Sequence, residues 1–287
     1  MAVDEAIFIS YLEGKSPPTL RFYGWSPPTV SIGYFQNIER EIDIERLNLK
    51  GYGLVRRNTG GRAVLHDREL TYSIVAGTKE GLPDNLMESY LYISKAFAYA
   101  FQDLGIKAEI NQGANKYANS GACFESPSWY EITVNGRKLM GSAQLRQKTA
   151  FLQHGSILLN FSAADLGAVL NIPTESLKTF VEALRRKIVS LADLEVGLGP
   201  SELALKISES FNTLYGIIFE PGELSSFETE LAHLLVTNKY ATEEWNYQRG
   251  NTRDQKRVIR IQAGDGCHEI LRGRYCKDAQ GPSLRGI

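Results

Sequence analysis

The strongest constraint on the fold is one hairpin signal in the middle of the chain. Asn135-Gly136 separates two extended stretches, residues 130–134 and 137–146. Asn-Gly supplies the two positive φ angles of a type I′ turn, which joins neighbouring antiparallel strands. A third extended stretch, residues 150–160, follows directly. The sequence therefore predicts an antiparallel meander over this part of the chain.

Strands and helices are distributed unevenly around that meander. Extended stretches are predicted at residues 19–23, 29–33, 53–57, 62–66 and 70–75, and helices at 1–12, 39–50, 87–104, 177–191, 201–215 and 223–238. This order lacks the regular alternation of strand and helix that builds a doubly wound sheet. We therefore predict an α/β fold of the α+β type, in which helices cover a mixed, largely antiparallel sheet.

The hydrophobic pattern fails near the end of the chain. From about residue 249 the sequence is polar, and the rest carries glycine and charge with little periodicity. We predict a folded domain over residues 1–248 and a C-terminal tail over residues 249–287, to which we assign no function.

Composition and charge exclude several classes of protein. With 32 basic and 33 acidic residues the net charge is −1, which argues against nucleic acid or anionic membrane as a partner. Three cysteines argue against a disulfide framework and for a reducing compartment. No apolar run approaches the length of a membrane span, and the N-terminus is acidic rather than basic. We expect a cytoplasmic protein.

Familiar catalytic and metal-binding motifs are absent from the sequence. The chain has no nucleophile elbow, no zinc-protease motif and no nucleotide-binding glycine loop of a standard type. Cys267, His268 and Cys276 match no standard zinc spacing. We therefore expect no metal.

A glycine pair flanked by arginines, within residues 56–67, is a candidate binding loop. Glycines let the backbone approach a ligand closely, and exposed N–H groups beside arginine favour a carbonyl, carboxylate or phosphate. The alternative is an ordinary turn with solvated arginines and a structural histidine. The predicted binding residues here are Arg57, Thr59, Gly60, Gly61, Arg62 and His66.

Cys123 is a candidate nucleophile because it lies in a loop rich in small residues. A nearby cation must lower the pKa of a catalytic thiol, since the thiolate is the reactive form. Lys138, two residues after the predicted turn, can supply that cation, and strand alternation places it on the same face as Met140. The alternatives are a buried inert thiol and a solvated lysine.

Small residues after Lys138 mark a second candidate binding segment. Gly141, Ser142 and Ala143 on a central strand leave room for a ligand against the sheet. His154, on the following strand, has no obvious partner in the sequence and is expected to be structural.

Three ordered motifs resemble the biotin/lipoate protein ligase and octanoyltransferase superfamily. They are residues 56–73, the Cys-Phe-Glu-Ser-Pro-Ser-Trp-Tyr-Glu run at 123–131, and Gly-Arg-Lys-Leu-Met-Gly-Ser-Ala-Gln at 136–144. The likeness covers roughly residues 1–248 and is closest to the LipM-type octanoyltransferases, which use a cysteine nucleophile. It implies a fold like the biotin/lipoate ligase catalytic domain.

The resemblance also implies a reaction that needs no cofactor. Octanoyl passes from acyl carrier protein to an enzyme cysteine, and then to a lysine of a lipoyl-accepting domain such as glycine cleavage H protein. Cys123 matches the nucleophile and Lys138 the lysine that lowers its pKa. We expect a monomer. Family members usually have an N-terminal strand before the first helix, so we expect an edge strand to be missing here.

Two other functions remain open at this point. One is an ATP-dependent lipoate-protein ligase of the same fold, which works through an acyl-adenylate. Cys123 and Arg62 argue against it, because adenylate chemistry needs no thiol and many ligases have a third glycine at the position of Arg62. The other is a protein that binds lipoyl domains or acyl groups without catalysis.

Overall fold

The secondary structure comes from a computed structural model that describes residues 1–111 and 130–247, and the backbone of residues 268–275. The helices are α1 (Ala2–Leu12), α2 (Ile38–Glu41), α3 (Ile44–Leu49), α4 (Leu86–Asp103), α5 (Ala163–Val169), α6 (Thr174–Lys187), α7 (Pro200–Tyr215), α8 (Ser226–Leu235) and α9 (Glu243–Asn246). The strands are β1 (Thr19–Tyr23), β2 (Thr29–Ile32), β3 (Gly53–Arg56), β4 (Val64–His66), β5 (Glu69–Gly77), β6 (Ala108–Ile110), β7 (Ile132–Val134), β8 (Arg137–Gln147), β9 (Ala150–Leu158), β10 (Ile217–Pro221) and β11 (His268–Tyr275).

Two sheets organise the described residues. The larger has the strand order β10-β11-β1-β5-β9-β8-β7-β6 and is antiparallel throughout, whereas the smaller has the order β3-β2-β4 with β2 parallel to β3. Helices α4 and α7 pack together over the larger sheet, where Phe97, Phe101 and Phe211 are buried in the main core. The predicted mixed, largely antiparallel sheet covered by helices is confirmed.

A buried carboxylate anchors the first helix to the larger sheet. Asp4 accepts hydrogen bonds from Arg21 Nη1 at 2.7 Å, Tyr23 OH at 2.7 Å and Ser73 Oγ at 2.8 Å. Arg21 and Tyr23 lie on β1 and Ser73 on β5. The cluster satisfies a charge that would otherwise be costly to bury and holds α1 against two neighbouring strands.

The predicted hairpin is present, but its second strand begins with a bulge. Asn135 and Gly136 have φ of 51° and 72°, as a type I′ turn requires. Lys138 pairs with Thr133 and Met140 with Ile132, so an extra residue, Leu139, lies between the two pairs. A bulge shifts the alternation by one position. The prediction that Lys138 shares a face with Met140 is therefore wrong: Met140 enters the core, and Lys138 lies on the opposite face with Thr133.

The helix predicted at residues 39–50 is broken into α2 and α3. Ile42 forms a β-bridge with Leu170, and the amide of Asp43 donates to the Val169 carbonyl. The Asp43 side chain then caps α3 by accepting from the Arg46 amide at 3.0 Å. A tertiary contact with the end of α5 therefore interrupts a segment whose local pattern is helical.

The helix predicted at residues 177–191 begins and ends earlier, as α6. After α6 the chain becomes extended, and Ile188 forms a parallel bridge with Lys138, whose carbonyl accepts from the Val189 amide at 2.9 Å. The backbone of Lys138 is therefore held on one side by β7 and on the other by the segment after α6. This double pairing fixes the start of β8.

The expected C-terminal tail contributes one strand to the larger sheet. β11 pairs with β1 on one side and β10 on the other, so residues 268–275 of the predicted tail form a strand of the larger sheet. The edge of β1 opposite β5 is covered by β11, and the expected absence of an N-terminal edge strand stays a prediction. Residues 249–267 and 276–287 lie outside the described residues, and a domain boundary at residue 248 stays a prediction. None of the helices described is long and apolar enough to cross a membrane.

Candidate active site

A cavity of about 700 Å³ lies between the two sheets and collects most of the predicted site residues. Those that line it are Arg57, Gly61, Arg62, His66, Lys138, Gly141, Ser142 and Ala143. Thr59 and Gly60 belong to the same glycine loop (residues 57–62) but do not line the cavity. The loop after β3 and the second strand of the hairpin, β8, are far apart in sequence but face one space.

The glycine loop is held by the side chain of its own arginine. Arg57 is 6% exposed; its Nη2 donates to the carbonyls of Gly60 at 3.0 Å and Arg62 at 2.7 Å, and its Nη1 donates to Ser31 Oγ at 2.9 Å. Burial lowers the pKa of Arg57 to about 10, so the guanidinium stays charged at neutral pH. Arg57 therefore orders the glycine loop through these hydrogen bonds.

Two glycines are needed where the loop meets β2. Gly61 has a φ of 98°, which side chains other than glycine rarely adopt. A Cβ at Gly33 would collide with the Gly61 carbonyl oxygen, so the two backbones are in direct contact. A Cβ at Gly60 would meet nothing within 4 Å. Gly61 and Gly33 are therefore constrained by the fold, and Gly60 is not.

His66 and His154 are both buried, and each contacts a hydroxyl group. His66 Nε2 lies 2.7 Å from Ser31 Oγ, and its Nδ1 lies 2.9 Å from Glu69 Oε1. His154 Nε2 lies 2.6 Å from Thr59 Oγ1 in the glycine loop. Thr59 is thus the partner of His154 that the sequence did not reveal.

The burial of His154 makes stability depend on pH. Burial lowers the pKa of His154 to about 3 from an ordinary value of 6.5. The unfolded chain binds a proton below about pH 6.5 and the folded chain does not until about pH 3, so acid favours unfolding. Between pH 7 and pH 5 we expect wild type to lose about 2 kcal/mol more unfolding free energy than His154→Gln. Urea titrations at both pH values measure this, and equal losses would contradict it.

Lys138 lies at the mouth of the cavity, with its side chain 36% exposed. Its Nζ donates a charge-assisted hydrogen bond to Glu131 Oε1, and Glu131 also lines the cavity. A Cβ at Gly141 would lie 2.6 Å from Lys138 Cε and 2.8 Å from its Nζ. The absence of a side chain at Gly141 therefore makes room for the ammonium group. Glu131 ends the motif that starts at Cys123, but sequence reasoning assigned it no role.

The segment that carries Cys123 starts and ends at the cavity. Cys123 itself, in residues 112–129, lies outside the described residues. The Asn111 amide donates to the Glu131 carbonyl at 2.9 Å, and the Tyr130 amide donates to the Asn111 carbonyl at 2.7 Å. Asn111 and Glu131 line the cavity beside Lys138. Both ends of the segment are therefore fastened at one point of the cavity wall.

The remaining wall of the cavity is largely apolar. Its large apolar side chains come from β4, the end of β9, the loop after β9, α5 and the segment after α6: Val64, Leu65, Leu158, Phe161, Leu166 and Ile188. On the opposite side, Ser142 Oγ lies 2.7 Å from Tyr72 OH. Among the described residues no cluster of three or more His, Cys, Asp or Glu side chains could hold a metal ion. The arrangement suits an apolar chain with a reactive polar end near Lys138.

Similarity to known proteins identifies the family. A family model described as the lipoyl protein ligase A/B catalytic domain matches residues 1–212. The chain belongs to this family. The match spans α1, the glycine loop and Lys138, and hence the described wall of the cavity.

Curated relatives of the lipoyl protein ligase A/B family are similar over most of the chain. One from Kyrpidia tusciae, named octanoyltransferase LipM, is 46% identical over 87% of this chain and 94% of its own. One from Bacillus subtilis with the same name is 42% identical over 87% of this chain and 93% of its own. This member of the family is an acyltransferase.

Solved structures of the family have the same fold. A bipartite lipoate protein ligase from Thermoplasma acidophilum is 28% identical, with a TM-score of 0.74 over 89% of this chain and 92% of its own. A lipoate-protein ligase A bound with ATP is 29% identical, with a TM-score of 0.72 over 86% of this chain and 92% of its own. The predicted fold, like the biotin/lipoate ligase catalytic domain, is confirmed.

Proposed function

We propose that the chain is an octanoyltransferase with Cys123 as its nucleophile. It takes octanoyl from acyl carrier protein as a Cys123 thioester and passes it to a lysine of a lipoyl-accepting domain, such as glycine cleavage H protein. This proposal rests on the position of Lys138, which lies at the mouth of a largely apolar cavity, beside both anchored ends of the Cys123 segment.

The anchoring limits how far Cys123 lies from Lys138. Tyr130 follows Cys123 by seven positions, a span of at most about 25 Å for a fully extended chain. Tyr130 adjoins Glu131, which contacts Lys138 directly. A tether of this length allows Cys123 to approach the ammonium group, and a cation beside a thiol stabilises its thiolate.

Proton transfers in the two half-reactions balance at Lys138. The Cys123 thiolate attacks the donor thioester, the carbonyl–sulfur bond to the carrier breaks, and the leaving phosphopantetheine thiolate takes a proton from Lys138. The acceptor lysine arrives as an ammonium and releases one proton to solvent, and its neutral amine attacks the Cys123 thioester. As the carbonyl–sulfur bond breaks, the nitrogen gives its second proton to Lys138, which leaves the amide and regenerates the Cys123 thiolate. The Glu131 carboxylate holds the ammonium group of Lys138 in place before the first transfer and again once Lys138 has regained its proton.

The glycine loop is suited to the carbonyl group of the acyl chain. Among the described residues none accepts a hydrogen bond from the amide groups of Gly60, Gly61 or Arg62. Gly61 and Arg62 line the cavity. Free amide groups beside a cation stabilise a developing oxyanion. We therefore assign acyl-carbonyl binding to this loop.

A substitution at Gly61 tests the loop. In Gly61→Val the φ of 98° becomes unfavourable, and a Cβ would lie 2.8 Å from Arg57 Nη2. We expect acylation of Cys123 to slow by about a hundredfold, because displacing a positioning group by about 1 Å has effects of that size. Rapid-quench acylation with octanoyl-carrier protein measures the rate. Gly60→Ala is the matched control, and wild-type kinetics in Gly61→Val would reduce the loop to a turn.

The ATP-dependent ligase is the main competing function. The transferase is supported by curated relatives that are 42–46% identical and named octanoyltransferases, whereas the solved ligases are 28–29% identical. Intact-protein mass spectrometry after incubation with octanoyl-carrier protein discriminates between the two functions. A Cys123 adduct formed without ATP supports the transferase, transfer of free octanoate that needs ATP supports the ligase, and neither supports a binding protein.

A further inference from the structure

A line of buried hydrogen bonds runs behind the glycine loop and ends at a carboxylate. Arg57 Nη1 donates to Ser31 Oγ at 2.9 Å, Ser31 Oγ lies 2.7 Å from His66 Nε2, and His66 Nδ1 lies 2.9 Å from Glu69 Oε1. Ser31 is 0%, His66 6% and Glu69 5% exposed. Groups this buried need mutually consistent donors and acceptors, so the direction of each bond can be deduced.

The guanidinium of Arg57 sets that direction because it can only donate. Ser31 Oγ accepts from Arg57 and must give its own proton to another acceptor, which is His66 Nε2. Neutral His66 therefore carries its proton on Nδ1 and donates it to Glu69. The three residues thus have one allowed arrangement of protons.

The direction of the hydrogen bonds at the Glu69 end of the line can be deduced in the same way. Trp25 Nε1 donates to Thr71 Oγ1 at 2.8 Å, so the Thr71 hydroxyl donates to Glu69 Oε1. The Trp25 indole also stacks on the His66 ring, with centroids 4.4 Å apart and an interplanar angle of 19°. Glu69 is therefore the acceptor at which the bonds from both sides end, and His66 cannot turn.

The bonds of Arg57 link this line to the cavity. Its Nη2 donates to the carbonyls of Gly60 and Arg62, on either side of Gly61. The angle of the guanidinium plane therefore determines how the peptide groups around Gly61 face the cavity. Both ring nitrogens of His66 are engaged with protein atoms, although His66 lines the cavity, and the substrate-binding role predicted for it stays a prediction.

We propose that Ser31, His66 and Glu69 are positioning residues that orient Arg57 and, through it, the amide groups of the glycine loop toward the acyl carbonyl. This inference rests on the proposed function for the identity of the bound group. Ser31 and His66 line the cavity, whereas Glu69 does not line it, and the effect of Glu69 passes through His66, Ser31 and Arg57 in turn.

A double-mutant cycle between Ser31 and Arg57 tests this dependence. We expect Ser31→Ala to lower kcat/KM for acylation by ten- to a hundredfold and Arg57→Lys by at least as much. Because Ser31 acts through Arg57, adding Ser31→Ala to Arg57→Lys should lower kcat/KM by less than a further threefold. If the loss in the double variant equals the product of the two single losses, the proposal is overturned. Ser210→Ala, which removes an equally buried hydroxyl from α7, is the control.

A second pair of readouts separates positioning from general damage. Alkylation of Cys123 by iodoacetamide should keep its rate and pH dependence in Ser31→Ala, because Lys138 is untouched. Amide hydrogen exchange should increase in peptides that contain residues 60–62 and not elsewhere. Parallel loss of alkylation, or exchange that rises throughout the protein, would assign Ser31 a merely structural role.

The proton position of His66 gives a test that needs no enzymatic activity. Nitrogen-15 spectra of the wild-type protein, with His66 assigned by its loss in His66→Asn, should show the proton on Nδ1. A proton on Nε2 would overturn the deduced direction. If wild type forms no octanoyl adduct at all, the proposed function fails, and the proton position together with the exchange data still decides the positioning role.

Discussion

Cys123→Ala is expected to abolish octanoyl transfer, by at least about a thousandfold, while leaving the fold intact. Removal of a covalent nucleophile eliminates the intermediate, and the residual rate comes only from binding and oxyanion stabilisation. The measurement is transfer of octanoyl from acyl carrier protein to an apo lipoyl domain, followed by mass spectrometry. Circular dichroism and the midpoint of thermal unfolding report on the fold.

The other two cysteines provide the controls for this prediction. Cys267→Ala and Cys276→Ala change the same side chain outside the motif that matches the transferases, and both should retain full transfer. Full activity in Cys123→Ala would end the transferase proposal. The ATP-dependent ligase would then replace it, since acyl-adenylate chemistry proceeds without a thiol.

Local signals predicted the elements around the site accurately. The Asn135-Gly136 turn has the expected φ values, and β1 has the predicted bounds, Thr19–Tyr23. Both rest on short-range physics, the permitted φ of Asn-Gly and the extended preference of β-branched and aromatic residues. Where a local signal and the tertiary structure agree, the prediction from sequence is confirmed.

Elements that depend on distant partners were not predictable in this way. The break between α2 and α3 depends on a bridge from Ile42 to Leu170, and the bulge at Leu139 is set by the register with β7. β11 lies between β1 and β10, although its own sequence has little periodicity. In each case the deciding contact joins residues whose pairing no local pattern specifies.

The site was predicted as two segments and is assembled by the fold. Arg57 and Lys138 come from separate candidate segments, lie far apart in sequence and line one cavity. Ser31, Glu69 and Glu131 were missed because a buried serine or glutamate has no signature in a single sequence. Alternation on β2 and β4 could have placed Ser31 and His66 on one face, but only the observed register brings them together.

Lys138→Ala is expected to raise the pH at which Cys123 is alkylated and to slow both half-reactions. An ammonium about 4 Å from a thiolate contributes about 4 kcal/mol at an effective dielectric near 20, before discounting. Because the Lys138 side chain is 36% exposed, screening reduces this, and we expect the alkylation midpoint to rise by about one pH unit or more. Iodoacetamide kinetics across pH, with single-turnover transfer in parallel, measure both effects.

Lys138→Arg separates charge from proton transfer. A guanidinium keeps much of the thiolate stabilisation but does not deprotonate in proteins, so alkylation should resemble that of wild type while both transfers remain slow. Arg137→Ala is the matched control, because Arg137 is the adjacent cation on β8 and does not line the cavity. If Lys138→Ala leaves the alkylation midpoint where it is in wild type, Lys138 is not the activating cation, and the proposed pairing with Cys123 is wrong.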